Sequence, residues 1–292
     1  MSSFWSIWIT VITLGSIAGC ALLLLANTKS DHIGDTTGHV YDGIEEYDNP
    51  LPRWWLWMFI ISIFAGLIYL ALYPGLGNWK GLLGWTQEKQ WQENINQAEA
   101  RFKPLYAHYG SMSYEELQAD ERAMKTAQRL FANNCSVCHG STATGAKGFP
   151  NLTDNDWLYG GEAKTIEQTI TFGRNGAMPA WKEVLGGDEA VSNVANYVMS
   201  LSGREVDQQK ATAGKVKFDT LCIACHGSDG KGNHMFGAPN LTDSIWLYGS
   251  SEKAITQTIA EGRGGKMPAQ KERLGTDKSH LLAAYIHSLS NK

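Results

Sequence analysis

Residues 135–160, CSVCHGSTATGAKGFPNLTDNDWLYG, and residues 222–249, CIACHGSDGKGNHMFGAPNLTDSIWLYG, are two copies of one unit. Each opens on C-x-x-C-H, the attachment pattern of c-type haem, in which two thiols form thioethers with the porphyrin and the adjacent imidazole reaches the iron. Cys135 and Cys138 with His139, and Cys222 and Cys225 with His226, are therefore read as two covalent haem sites. A zinc ribbon would place its two cysteine pairs roughly 15–20 residues apart, whereas here a whole repeat separates them and each pair has its own histidine. A thioredoxin-like redox pair would lie in a βαβ pattern, and no such pattern surrounds either motif.

The chain has 292 residues, room for two or three compact units. Its formal charge of −4 and lack of a basic tract speak against nucleic acid as a partner. The fifth cysteine, Cys20, lies in an apolar run and reads as packing.

Phe4 to Ala26 is a charge-free run of 23 residues, and Trp54 to Tyr73 one of 20. At about 1.5 Å per residue, either is long enough to cross a bilayer core of about 30 Å. Trp54, Trp55, Trp57 and Tyr73 edge the second run as interfacial aromatics do. A secretory signal is the alternative for the first run, but it lacks a basic start and a small-residue cleavage site. Neither run contains His, Asp, Glu, Lys or Arg, so the spans anchor and contribute no metal ligand or proton relay. Residues 1–80 are thus expected to form a membrane anchor with spans at 4–26 and 54–73.

Segment 27–53 has Lys29 and Arg53 against six carboxylates, so charge asymmetry decides little about orientation. Covalent haem attachment, which bacteria carry out on the outer side of the cytoplasmic membrane, places the C-terminal part and the N-terminus in the periplasm and loop 27–53 in the cytoplasm.

After the second span, Trp79, Leu82, Leu83, Trp85 and Trp91 alternate with charge, as in a segment lying on membrane lipid. Residues 81–119 are read as a surface-lying linker, helical from about Thr86 to Pro104. Two repeats follow, 120–203 and 204–292. Each begins with a helix in which a small residue precedes an aromatic by one turn, Ala127 before Phe131 and Gly214 before Phe218. Such a pair suits a close helix crossing, and the expected partner is the closing helix of the same repeat, 188–201 or 277–289. The fold class is all-α: two N-terminal transmembrane helices, then two tandem c-type cytochrome domains. Strand signals are nearly absent.

A low-spin iron needs a second axial ligand. GRNGAMPAW (173–181) and GRGGKMPAQ (262–270) align at a constant offset, which makes Met178 and Met267 the candidate thioether ligands, with Met235 as a rival for the second site. The Pro150 and Pro239 carbonyls are candidates to accept the imidazole N–H, and Arg174, Arg263, Trp157 and Trp246 to meet propionates. The histidines outside the motifs, His32, His39, His108, His234, His280 and His287, are read as surface or packing residues.

Taken together, HVYDGIEEYDNPLPRWW (39–55) before a span, NCSVCHG, GFPNLTDNDWLYGG, CIACHG and GAPNLTDSIWLYG resemble the di-haem subunit family, CcoP or FixP, of cbb3-type cytochrome c oxidases. The resemblance covers nearly the whole chain. It implies two c-type haems with His139 paired to Met178 and His226 to Met267. It also implies electron entry from a cytochrome c donor, onward transfer through a mono-haem c-type subunit, and a haem–copper catalytic subunit as a partner in the bacterial inner membrane. Loop 39–55, with Tyr41, Tyr47, Pro50, Pro52, Trp54 and Trp55 among its acids, is then read as a docking element for that subunit, the alternative being a self-packed hairpin that caps the two spans. The chain itself has no ligand set for reducing O2, so it counts as an enzyme only as part of the complex. A free-standing anchored di-haem shuttle or a dehydrogenase subunit would share the haem repeats but not the 39–55 loop. A di-haem peroxidase would need one iron with an open site, against which the matched methionines argue.

Overall fold

The computed structural model describes residues 1–28, 36–47 and 52–290 and divides into two compact units, residues 1–100 and 101–292. In the first unit, α1 (Ser3–Ala26) and α2 (Arg53–Leu72) contain nearly all of the two uncharged runs, α2 starting one residue earlier at Arg53, and each is long and apolar enough to cross a membrane. Neither buries a residue within the chain, as suits helices whose solvent is lipid. Between them, β1 (Thr36–Tyr41) and β2 (Ile44–Tyr47) form an antiparallel hairpin. Its turn is Asp42–Gly43, both at positive φ (52° and 82°), the pairing that a two-residue primed turn requires. The hairpin is the local structure of the segment read as a docking element, and residues 48–51 of that segment lie outside the described residues.

The stretch after α2 folds back. Leu82 and Leu83 donate to the Ala71 and Leu72 carbonyls, while Asn78 binds the Ser6 hydroxyl and the Met1 carbonyl. The start of α1 and the end of α2 therefore share one end of the pair. α3 (Gln87–Gly110) runs through Pro104, where the sequence suggested a stop. An interior proline costs a helix about 3 kcal/mol, and the packing of Tyr106 and buried Tyr109 under the last turn compensates.

In the second unit, α4 (Tyr114–Ala119) starts on a Ser113/Glu116 capping box, and α5 (Glu121–Asn134) is capped by the Asp120 carboxylate. α6 (Ser136–His139), α7 (Ala163–Phe172), β3 (Arg174–Met178), α8 (Lys182–Leu185) and α9 (Asp188–Leu201) complete the first repeat. The second repeats the order: α10 (Gln208–Leu221), α11 (Ile223–His226), α12 (Glu252–Glu261), β4 (Arg263–Met267) and α13 (Lys271–Ser290), the last broken at Gly275.

The helices do not pair as the periodicity suggested. The expected partner of each opening helix was the closing helix of its own repeat, but α9 packs on α10, and α13 packs on α5 and α7. The reason is the connection. Residues 202–207 form a short connection, and helices joined by a short loop become neighbours, so α10 lies against α9. α5 is thereby left for α13. Each apolar core is built from both repeats: Val191, Val194 and Val198 of α9 with Phe218, Ile255 and Ile259, and Leu282, Ala283 and Ile286 of α13 with Phe131, Ile166 and Ile170.

The chain crosses from one core to the other in the Met-Pro segments. There β3 and β4 pair antiparallel, Arg174 opposite Met267 and Met178 opposite Arg263. Trp181 N–H donates to the Ile259 carbonyl and Gln270 N–H to the Ile170 carbonyl, fixing both exits. Glycine-rich segments that read as loops are thus strands, because a partner strand outside the repeat supplies what local propensity does not.

Candidate functional site

Each C-x-x-C-H motif is a single helical turn. Cys135 ends α5, and the Cys138 and His139 amides donate to its carbonyl at 3.1 and 3.0 Å; Cys225 and His226 treat Cys222 likewise at 3.2 and 3.0 Å. One turn brings the two thiols and the imidazole to one side. Cys135 and Cys222 are half-buried, Cys138 and Cys225 exposed, and no cysteine is in a disulfide. Burial pushes the Cys135 and Cys222 thiols up to about 11, so neither is the activated thiolate of a redox pair.

His139 Nδ1 lies 3.0 Å from the Pro150 carbonyl oxygen, and His226 Nδ1 3.2 Å from that of Pro239. A carbonyl only accepts, so Nδ1 carries the proton and Nε2 keeps the lone pair a metal needs. Burial also lowers the His226 pKa, which keeps the ring neutral. This donor set fits a c-type haem: two thiols and one oriented imidazole per turn, each turn against an apolar cluster.

The methionines pack against those clusters, but exchanged between repeats. Met178 packs in the cluster that contains Cys222, Leu241 and Trp246, whereas Met267 packs in the one that contains Cys135, Leu152 and Trp157. The pairing implied by the resemblance, His139 with Met178 and His226 with Met267, is therefore not the one the packing makes. The physical cause is the β3–β4 crossover, which carries each methionine into the other repeat's core. Met235 is 83% exposed and, unlike Met178 and Met267, packs against neither cluster.

Arg174 Nε donates to the Thr169 hydroxyl at 2.9 Å, and its guanidinium lies 4.7 Å from the Tyr159 ring centroid. Arg263, Thr258 and Tyr248 repeat this arrangement at 3.0 and 4.7 Å. Trp157 and Trp246 are half-buried against the two cores, and Trp157 fills the space beside Gly161. The tyrosines and threonines escaped the sequence reading, although each recurs at the offset that relates Met178 to Met267.

His280 does more than pack. Its Nε2 meets the Met112 carbonyl at 2.9 Å and its Nδ1 the Glu167 carboxylate at 2.8 Å, and the Tyr114 hydroxyl donates to the same carboxylate oxygen at 2.6 Å. This cluster ties α13 of the second repeat to α7 of the first.

Comparison with known proteins agrees with this architecture. Residues 34–80 match the family model described as the N-terminal domain of cytochrome oxidase-cbb3, FixP, and residues 122–198 and 209–286 match that of cytochrome c oxidase, cbb3-type, subunit III. The chain is 47% identical to a cbb3-type cytochrome c oxidase subunit CcoP of Rubrivivax gelatinosus, over 99% of this chain and 96% of that one. It is 41% identical to the FixP subunit of Azorhizobium caulinodans, over 87% and 92%, and 42% identical to that of Bradyrhizobium diazoefficiens, over 87% and 94%.

Proposed function

The chain belongs to the subunit III family of cbb3-type cytochrome c oxidases, and from that membership we propose that it is the di-haem electron-entry subunit of such an oxidase. It is a membrane subunit of an oxidoreductase complex, its cytochrome domains take c-type haem, and its role is electron transfer. In the proposed assignment two haems are held, one by Cys135 and Cys138 and one by Cys222 and Cys225. His139 and His226 are the proximal ligands, and Met267 and Met178 respectively the distal ones. When bound, c-type haem supplies a one-electron ferric/ferrous couple, which His/Met ligation poises at high potential.

The residues have separable tasks. The thiols would tether the haem, the Pro150 and Pro239 carbonyls hold the imidazole planes, and the methionine sulfurs would complete the ligand set and leave no position for O2 or peroxide. The chain therefore relays electrons and leaves oxygen reduction to a haem–copper partner. The proposed route begins at a cytochrome c donor and leaves through a mono-haem c-type subunit. The haem domains and the start of α1 are assigned to the periplasm and the β1–β2 hairpin to the cytoplasm, a topology supported by the hydrogen bonds of Asn78 to Met1 and Ser6. Helix α3 and the residues before it are the membrane-surface linker in this assignment.

The observation that carries the reading is the doubled C-x-x-C-H turn with its imidazole fixed by a proline carbonyl. Purification in mild detergent followed by a haem inventory tests it. Two covalent haems per chain, with b-type haem co-purifying, are expected. One covalent haem or none would overturn the di-haem assignment, and two covalent haems without any b-type haem would point to a free-standing shuttle.

A further inference from the structure

The β3–β4 ladder has one face with a purpose that ligand assignment alone does not explain. Directly opposed residues of an antiparallel pair share a face, as do alternate residues along a strand. The register Arg174↔Met267, Gly176↔Gly265, Met178↔Arg263 therefore puts both arginines and both methionines on the same side, with two glycines between them. These four side chains are half-buried, while Asn175, Ala177 and Lys266 are exposed. Each methionine thus has, directly across the ladder, an arginine from the other repeat.

A two-stranded ribbon of five residues per strand is marginal in water, and arginine and methionine are among the most flexible side chains. Something must hold this one. We propose that Arg174 with Tyr159, and Arg263 with Tyr248, are positioning residues that brace the ladder and so hold Met267 and Met178, respectively, at the iron. This inference rests on the methionine ligation proposed above.

Three observations support the brace. Each guanidinium is fixed on two sides within its own repeat, by a threonine hydroxyl at Nε and a tyrosine face. Each tyrosine hydroxyl lies beside a central glycine: a Cβ on Gly176 would stand 3.2 Å from the Tyr159 oxygen, and one on Gly265 3.8 Å from that of Tyr248. Gly173 and Gly262, at φ 72° and 74°, leave no room for a side chain against the Met-Pro backbone of the opposite strand. The brace thus reaches each methionine from its partner strand, and a fixed cation beside the distal ligand favours the ferrous state, which carries one positive charge fewer at the iron.

The test uses the full chain, purified with its haems, and reads carbon monoxide binding to the ferrous form together with a redox titration. The parent chain, with both irons saturated, is expected to bind carbon monoxide slowly or not at all. Arg174→Leu is expected to speed binding at one haem at least tenfold and to shift that haem's ferrous to ferric ratio at fixed potential about tenfold towards ferric, 59 mV for a one-electron couple. Tyr159→Leu should reproduce both effects, while Tyr159→Phe, which keeps the ring face, should reproduce neither. If Arg174→Leu fails to fold, Thr169→Val and Tyr159→Leu carry the same test. A shift in potential without faster binding would make Arg174 a propionate partner and overturn the brace, as would no change in either quantity. Rapid binding by the parent chain at both haems would instead overturn methionine ligation itself.

Discussion

Gly214 of α10 lies directly on the Asn193 carbonyl of α9, so close that a methyl group on its Cα has no space. The contact joins the second repeat's opening helix to the first repeat's closing helix, and Phe218, one turn on, buries its ring beside Tyr197 of α9 at 5.1 Å between centroids. The equivalent residue in α5 is Ala127, fully buried against α13.

Gly214→Ala is expected to force α9 and α10 apart and to destabilise the second unit by about 1–3 kcal/mol, the usual cost of overpacking. Val216→Ala on the exposed face of the same helix should stay within about 0.5 kcal/mol. Urea unfolding followed by circular dichroism compares the two. Equal midpoints would show that the crossing tolerates a side chain at Gly214.

Much of this architecture was legible, and what was missed has a physical pattern. The two C-x-x-C-H turns are written in contiguous residues, and the helices around Val191–Leu201 and Leu281–Leu289 show their buried face by periodicity. Periodicity says which face is buried but never against what. The partner was fixed by the six residues 202–207, whose length bears on pairing only when weighed as a geometric constraint. The same limit applies to β3 and β4: Gly176 and Gly265 suppress any strand signal, and the pairing comes from a segment 89 positions away. A hairpin is one of the two readings that loop 39–55 admits, and Asp42–Gly43 between Val40-Tyr41 and Ile44-Glu45 is the turn that specifies it.

The exchange of methionines makes a prediction that distinguishes it from ligation within each repeat. In a chain carrying Cys135→Ser and Cys138→Ser, only the haem at Cys222 and Cys225 remains attached. Met178→His should then lower its reduction potential, because imidazole favours the ferric state relative to a thioether, and Met267→His should leave it in place. The opposite result in a redox titration would restore the within-repeat pairing.

The His280 cluster should behave as a clamp between the repeats. Glu167→Ala leaves the Tyr114 hydroxyl and His280 Nδ1 without their acceptor, at a cost of about 1 kcal/mol, the low end for unpaired polar groups because the cluster is only partly buried. A lower unfolding midpoint with unchanged haem staining is expected, and Glu167→Gln should recover part of the loss. A midpoint equal to the parent's would remove the clamp.

Asp156 gives the second unit a pH dependence of unusual sign. Its burial, and next the Asp243 and Asp154 carboxylates, raise its pKa from 3.8 to about 6, against a small opposing effect of His234. Between those two values the folded state binds more protons than the unfolded one, so this residue's contribution to stability falls as pH rises from about 4 to 6. The side chain is half-exposed, and screening reduces the effect to roughly 1 kcal/mol. Asp156→Asn should match the parent near pH 4 and exceed its stability above pH 6. Parallel stability curves for the two proteins across that range would refute the assignment.

The β1–β2 hairpin supports the last prediction. Val40, Tyr41, Ile44 and Tyr47 are all at least 59% exposed. A connector between two spans needs only length and polarity, whereas a rigid two-stranded ribbon with apolar side chains held in water is costly unless a partner covers it. A two-stranded hairpin is also marginal by itself, so a protein surface that completes it would stabilise both. Its place between two membrane-spanning helices makes the haem–copper subunit the expected partner. Replacing residues 40–47 by a Gly/Ser segment of equal length should leave covalent haem content unchanged, since the haem motifs lie in the other unit, while b-type haem no longer co-purifies with the chain. Full co-purification and undiminished oxidase activity in that variant would reduce the hairpin to a turn between α1 and α2.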